Sequence, residues 1–378
     1  MSQSAPIARL LRHPVSDSES LESSALVVGA IAFVISAIVA TFVFWGHDSP
    51  ISGPGSVGQF VALGSAVAAV IVFVAARLLV SAGRTTRSAT GRGLDIAGAR
   101  LHWFDIAALA LAHAVIALLG WLGIADLLSK SFTDAVVFSF SAAVLGGVAI
   151  ALTSYVVFLS AVSLTPMLLS LILAAFLIVG SFASMLSSTD PHWWQKNLST
   201  LGISDDVSAL AFNLTLIIAG VIVTTIAHYA TAMLPVTNDK ERRGRTLVRT
   251  ALVVMGVLLA CVGIFPVDRF LTAHNVSATG MAIVFVALVL GLRRLVPSMP
   301  RVFILLGYTF VGVIVVLAAF FINGYYNLTA VELVAFLQIF SWLIVFLRNT
   351  GAMPAGALPD DDGHTDERAE ALSDSPTI

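Results

Sequence analysis

Ten long runs of apolar residues divide this chain of 378 residues. Each run is long enough to cross the roughly 30 Å core of a bilayer as a helix that rises about 1.5 Å per residue. Because apolar residues make up 58% of the chain, a water-soluble fold cannot bury them all. The pattern therefore predicts an all-α, polytopic membrane protein with about ten transmembrane helices. The runs cover residues 25–45, 58–80, 103–124, 135–158, 166–187, 208–232, 247–265, 276–296, 302–322 and 328–347.

Positive charge is distributed unevenly over the loops between these runs. If the helices alternate in direction, every Lys and Arg except Lys130, Lys196 and Arg269 falls on the side of the two termini. Positively charged loops resist translocation, so this side is expected to be the cytoplasm. The sequence therefore predicts a multi-pass protein of the plasma (bacterial inner) membrane with both termini inside. The positive charge of these loops sets the orientation of the protein in the membrane and attracts anionic lipid headgroups. We therefore expect no nucleic-acid partner.

The runs and tails predict four regions. The polar N-terminal tail and the acidic C-terminal tail lack the apolar residues of a core, and we expect both to be disordered and cytoplasmic. Both the first four helices and helices five to eight alternate polar outer loops with a basic inner loop, so a remote duplication is an open possibility. The predicted regions are the tail 1–24, a four-helix membrane region 25–160, a six-helix membrane domain 166–347 and the tail 348–378.

Polar side chains gather in the predicted outer loops of the second half. The segment "DPHWWQKNLSTLGISDD" (190–206) pairs two tryptophans, which suit the headgroup level of a membrane, with several polar residues. A carboxylate inside a spanning helix, such as Glu332, is costly and needs a partner, and Arg269 or Lys196 is the predicted one. The alternative is that these are ordinary solvated loop charges. The candidate ligand-binding residues are Asp190, His192, Lys196, Ser199, Asp268, Arg269, His274 and Glu332.

Two of these segments carry a family resemblance. "NLSTLGISDDVSALAFN" (197–213) resembles the S-x-x-G loop before a helix in the Frag/DRAM/Sfk group and the related bacterial DUF998-type family. "GIFPVDRFLTAHNVSATG" (263–280) is similar to the Phe-Pro segment of that group, which is followed by a histidine at the mouth of the next helix. The resemblance covers residues 166–347 and implies a lipid-associated, six-helix membrane domain without supplying a catalytic mechanism. The residues it carries over are Ser199, Gly202, Phe265, Pro266 and His274.

His113 lies midway along the third apolar run, and Asp105 lies two helical turns before it on roughly the same face. A histidine in this position commonly hydrogen-bonds to a neighbouring helix. The alternative is a proton relay that uses both residues.

Several enzyme classes are excluded by missing motifs. The chain has no Walker loop, no H-E-x-x-H and no G-x-S-x-G motif. His192 and His274 with Asp190 and Asp268 have no ligand spacing of a zinc site, so we expect no metal and no cofactor. We expect no catalytic residues either, although an enzyme is not excluded.

The favoured hypothesis is a non-enzymatic membrane protein that binds a lipid headgroup or small ligand in an outer polar pocket, with membrane lipids as its partners. One alternative is an ion-coupled transporter that uses His113, Asp105 and Glu332. The other is an intramembrane lipid-modifying enzyme that uses the outer His and Asp residues.

Overall fold

The computed structural model describes residues 18–87, 103–203, 207–232, 234 and 236–352. Ten helices within these ranges are long and apolar enough to cross a membrane. The protein is therefore an all-α, multi-pass membrane protein, and this prediction is confirmed. The helices are α1 (Ser18–Val43), α2 (Val57–Arg87), α3 (Trp103–Ser131), α4 (Ser139–Val162), α5 (Pro166–Ser187), α6 (Val207–Ala232), α7 (Asp239–Ile264), α8 (Leu271–Leu295), α9 (Arg301–Ile322) and α10 (Leu328–Ala352).

Helix starts follow capping residues more closely than the ends of the apolar runs. The side chain of Thr165 accepts a hydrogen bond from the Leu168 N–H, and Pro166 occupies the first turn of α5. In the same way, the Asn238 side chain caps α7, which begins several residues before the apolar run. α8 also begins early, so His274 lies within its first turn and not in the preceding loop.

The N-terminal four helices pack with α1 along α4 and with α2 against α3 and α4. A pair of two-residue strands, β1 (Ser49–Pro50) and β2 (Val136–Val137), ties the α1–α2 loop to the α3–α4 loop. The strands are antiparallel, with Ser49 opposite Val137 and Pro50 opposite Val136. Sequence patterning did not predict this pair, since two residues are too few to show an alternating pattern.

In the C-terminal six helices, α6 packs against α5 and α7, and α10 packs against α5 and α9. Glycine allows the closest of these contacts, because a Cβ added to Gly220 would collide with the carbonyl oxygen of Gly256, and one added to Gly256 would lie 2.6 Å from the Gly220 oxygen. The core between α9 and α10 is aromatic, and the rings of Phe303, Trp342 and Phe346 form one cluster in which Trp342 stacks on both Phe rings.

The two halves meet where α3 packs against α5 and α6, and one hydrophobic core runs through both. Their internal packing differs: α1 lies along α4, whereas α5 packs on α6 and α10. This difference gives no support to the possible duplication. Residues 18–24 and 348–352 of the predicted tails are helical, and the remaining tail residues, 1–17 and 353–378, lie outside the described residues.

Candidate functional site

Two short 3₁₀ turns, Trp193–Gln195 and Leu198–Gly202, lie in the segment between α5 and α6. Both turns contact α10, and the second also contacts α6. The Trp193 side chain packs against the hydrophobic core, and the Trp194 carbonyl accepts a hydrogen bond of 2.9 Å from Asn327 Nδ2. We call residues 190–202 with His274 and Glu332 the polar cap.

Glu332 holds the second 3₁₀ turn in place. Its Oε2 accepts a hydrogen bond of 2.6 Å from the backbone N–H of Leu198, the first residue of the turn. This N–H has no acceptor within the turn, because the intrahelical bonds of the turn begin at Thr200. The carboxylate of α10 therefore caps a segment of the α5–α6 loop.

The predicted ion pair of Glu332 is wrong. Among the described residues, Lys196 pairs with Asp190 at 3.1 Å and Arg269 lies 3.7 Å from Asp268. The polar partner that Glu332 needs is supplied by a backbone amide, which satisfies a carboxylate without burying a cation.

Asp190 is stabilised in its charged form. The backbone N–H of His192 donates to its Oδ1 at 2.8 Å, and the ammonium group of Lys196 donates to Oδ2 at 3.1 Å. The N–H bond first, and the Lys196 bond second, lower the pKa of Asp190 below its ordinary value. The side chain of His192, whose backbone N–H binds Asp190, is exposed.

Ser199 and His274 are brought together from different elements. Ser199 Oγ lies 2.9 Å from His274 Nε2, and His274 Nδ1 lies 2.8 Å from the carbonyl oxygen of Phe265 at the end of α7. His274 is only 4% exposed, whereas Ser199 is half-buried. Because a carbonyl oxygen only accepts, Nδ1 carries a hydrogen; in the neutral ring, Nε2 then accepts the hydrogen of the Ser199 hydroxyl.

An apolar crevice lies beside the second 3₁₀ turn. It encloses about 330 Å³ outside the protein atoms, counting the part open to the surroundings. Leu198 and Leu201 of the turn line one side, and side chains of α5, α6 and α10 line the rest, among them Phe212, Leu333 and Phe336. Glu332 precedes Leu333 and holds Leu198, so the crevice begins where the polar cap ends.

Gly202 lies at the end of the second 3₁₀ turn, where a glycine before a helix suggests a tight turn, but the structure gives it another role. Its backbone is not left-handed, so it supplies no special turn before α6. A Cβ at this position would instead lie 2.6 Å from Asn213 Oδ1 and 3.0 Å from the Phe212 ring. Asn213 Nδ2 donates to the Gly202 carbonyl at 3.1 Å, which fixes the turn against α6. Ser204 and Asp205 are residue types that favour the N-cap position before α6, but both lie outside the described residues.

His113 lies in the other half of the molecule. Its Nδ1 lies 2.7 Å from the Leu109 carbonyl in the same helix, and its Nε2 lies 2.8 Å from Ser160 Oγ on α4. The predicted hydrogen bond to a neighbouring helix is therefore present. Asp105 lies near the start of α3, and the proton relay through Asp105 and His113 stays a prediction.

Sequence reasoning missed the crevice residues, the Ser160 partner and the Phe265 carbonyl. Apolar residues in a spanning helix give no signal that distinguishes a crevice from lipid-facing surface, and a backbone carbonyl gives none at all. Among the residues that the structure describes, no group of three or more His, Cys, Asp or Glu side chains is placed to hold a metal ion.

Residues 170–349 match a family model described as a protein of unknown function, DUF998. The match coincides closely with the range over which the sequence resembles that family, and it confirms the DUF998-type prediction. The Frag/DRAM/Sfk-like name stays a prediction. No curated protein and no solved structure matches the chain.

Proposed function

We propose that this membrane protein binds a membrane lipid at the polar cap, within or beside residues 170–349, which match the DUF998 family model of unknown function. One acyl chain of the lipid enters the apolar crevice, and the headgroup lies among the charged side chains of the cap. The observation that carries the proposal is the position of Leu198, which lines the crevice with its side chain and meets Glu332 with its backbone.

The crevice suits an acyl chain better than a polar ligand. The room inside it is about 20 Å³, enough for little more than one water-sized group, so an acyl chain would insert only its end unless the lining side chains move apart. Leu, Met and Phe side chains form most of its lining and offer a polar ligand no hydrogen bonds. Lipid also surrounds the spanning helices, so acyl chains are always available to the crevice.

The headgroup side carries both signs of charge. Lys196 and Asp190 form one exposed pair, and Arg269 and Asp268 form a second pair near the start of α8. A zwitterionic headgroup matches this pattern, because its phosphate attracts a cation and its ammonium group attracts a carboxylate. We therefore propose a zwitterionic phospholipid as the ligand.

Native mass spectrometry of the purified, delipidated protein with dioleoyl phosphatidylcholine tests the proposal. Leu333→Trp fills the crevice, and Leu337→Trp adds the same side chain one turn further along α10, on an exposed position. We expect Leu333→Trp to weaken binding of the tightest lipid about tenfold or more, equivalent to at least about 1.4 kcal/mol. Leu337→Trp should bind as the wild type does. Equal binding by both variants would refute the crevice as the lipid site.

Two further arms make the test specific. Ser181→Phe fills the same crevice from α5 and replaces Leu333→Trp if that variant does not fold. Glycerophosphocholine, which has the headgroup without acyl chains, should not compete with the lipid. Competition by this compound at similar concentrations would favour a small polar ligand instead.

We also propose that the protein lies in the plasma membrane with both termini in the cytoplasm, on the strength of its uneven Lys and Arg distribution. Asp48 and Thr237 are exposed in loops that this orientation places on opposite sides. In a Cys261→Ser background, Asp48→Cys should react with an impermeant thiol reagent in intact cells and Thr237→Cys should not. The reverse pattern would invert the orientation.

A further inference from the structure

The contacts of His274 are those of a general base that faces a nucleophile. The Phe265 carbonyl orients the ring through Nδ1–H, and Nε2 is left as the acceptor of the Ser199 hydroxyl. A hydroxyl within hydrogen-bond reach of a base that a third group orients is the arrangement by which proteins activate serine.

Ser199 is next in the chain to a residue of the proposed lipid site, although Ser199 itself does not line the crevice. Ser199 follows Leu198, whose side chain lines the crevice and whose N–H is bound by Glu332. The hydroxyl therefore belongs to a turn that is fixed on both sides, next to the space for an acyl chain. Ser199 is half-buried, and the proposal requires that its hydroxyl be within reach of small reagents and water.

We propose that Ser199 is a nucleophile that accepts the acyl group of an ester-linked lipid, with His274 as its general base. This inference rests on the proposed function, since the crevice must hold the acyl chain. It departs from the sequence-based expectation of a non-enzymatic protein. No sequence pattern indicates the pair, because the two residues are 75 positions apart and share no motif.

The reaction balances with water as the only co-reactant. Ser199 Oγ attacks the carbonyl carbon of the ester while its proton passes to His274 Nε2, and the carbon–oxygen bond to the alcohol breaks. The departing alcohol takes the proton from Nε2 and leaves an acyl group on Ser199. Water then gives a proton to Nε2 as its oxygen attacks the acyl carbon, and Ser199 Oγ regains that proton when the carboxylic acid is released.

The molecule contains its own control for this chemistry. His113 and Ser160 repeat the same hydrogen bonds, but Ser160 is only 8% exposed, whereas Ser199 is half-buried. A reagent that only senses a Ser–His hydrogen bond would modify both serines. A reagent that needs access would modify Ser199 alone.

A fluorophosphonate probe on the purified full chain tests the nucleophile. We expect one adduct, which peptide mapping places on Ser199 and which Ser199→Ala abolishes. His274→Gln should slow labelling roughly 100-fold, the usual scale of a lost general base, while Ser160→Ala labels as the wild type. Folding of each variant is checked by thermal unfolding. No adduct on Ser199 of the folded wild type, or labelling that does not depend on His274, would overturn the proposal.

A second readout separates this proposal from the lipid site. The wild type should hydrolyse p-nitrophenyl palmitate, Ser199→Ala should not, and Leu333→Trp should lose turnover while it still reacts with the small fluorophosphonate. If Ser199→Ala and the wild type bind phospholipid equally but neither wild-type labelling nor turnover is found, the nucleophile fails and the lipid site stands. If Ser199 is labelled while Leu333→Trp hydrolyses palmitate at the wild-type rate, the crevice fails instead.

Discussion

Two histidines of this protein make the same hydrogen bonds in different surroundings. His113 and His274 each place Nδ1 against a backbone carbonyl and Nε2 against a serine hydroxyl. The serine of His113 is on a packed helix, α4, whereas the serine of His274 is on a 3₁₀ turn in a loop. The pattern of hydrogen bonds is therefore the same, and only access to the serine differs.

The two pairs have different aromatic neighbours. The Phe73 ring lies 4.8 Å from the His113 ring, centroid to centroid, and is fully buried. Near the His274 pair, the ring of Phe265 lies 5.6 Å from the ring of Phe270, centroid to centroid, and Phe270 is 50% exposed. A sealed pair stabilises helix packing, whereas an open pair is available to a ligand. The proposed difference in function therefore rests on burial, which the hydrogen bonds alone do not reveal.

The largest effect should come from opening the sealed pair. Phe73→Ala removes a fully buried ring and leaves a cavity, at a cost of about 3 kcal/mol or more. Phe270→Ala removes a ring that is already half exposed, so we expect less than about 1 kcal/mol. Thermal unfolding of both variants in one detergent measures the difference, and similar losses would mean that the two sites are equally packed.

A smaller effect should follow from releasing the turn that carries Ser199. Glu332→Leu leaves the Leu198 N–H without its acceptor, at a cost of about 1–3 kcal/mol, and Glu332→Gln should recover much of the loss because it keeps an oxygen acceptor. Since Arg269 pairs with Asp268, the losses of Arg269→Ala and Glu332→Gln should add within about 0.5 kcal/mol. If the double variant loses clearly less stability than the sum of the two single losses, Arg269 and Glu332 do interact.

The two serines themselves should differ in the same direction. Ser160→Ala leaves His113 Nε2 without a partner inside the bundle, which should cost about 1–2 kcal/mol. Ser199→Ala should cost less than about 1 kcal/mol, because Ser199 is less deeply buried than Ser160 and water can take the place of its hydroxyl. Chemical or thermal unfolding of both variants compares them, and a larger loss for Ser199→Ala would contradict the contrast in access.

The smallest effect concerns pH and is confined to the polar cap. The folded protein holds the pKa of Asp190 below its unfolded value, so the carboxylate stabilises the fold above about pH 4. This contribution is lost as the pH falls through the lowered pKa. Asp190→Asn should therefore lower the unfolding temperature at pH 7 slightly and should lose less stability than the wild type between pH 4 and pH 3. Parallel curves for the two proteins over this range would show that Asp190 makes no such contribution.

The sequence by itself determined the membrane character and all ten spanning helices. Apolar runs of bilayer length leave the backbone no other way to satisfy its hydrogen bonds in lipid, so each run had to be helical. Capping chemistry is equally local, because Thr165 and Pro166 define the start of α5 without any tertiary contact. The sequence also drew attention to the polar segment of residues 190–206, to Glu332 and to His274, and the structure joins Glu332 to Leu198 and His274 to Ser199.

Only the tertiary structure decided which groups meet. Glu332 was expected to bind a cation, but every residue except proline carries an N–H, and no sequence pattern identifies Leu198 as the donor. Ser199 and His274 lie 75 positions apart, and the crevice is a gap between four elements. Such features depend on how rigid helices pack, and the apolar side chains that decide the packing look alike in the sequence whether they face lipid, a neighbouring helix or a crevice.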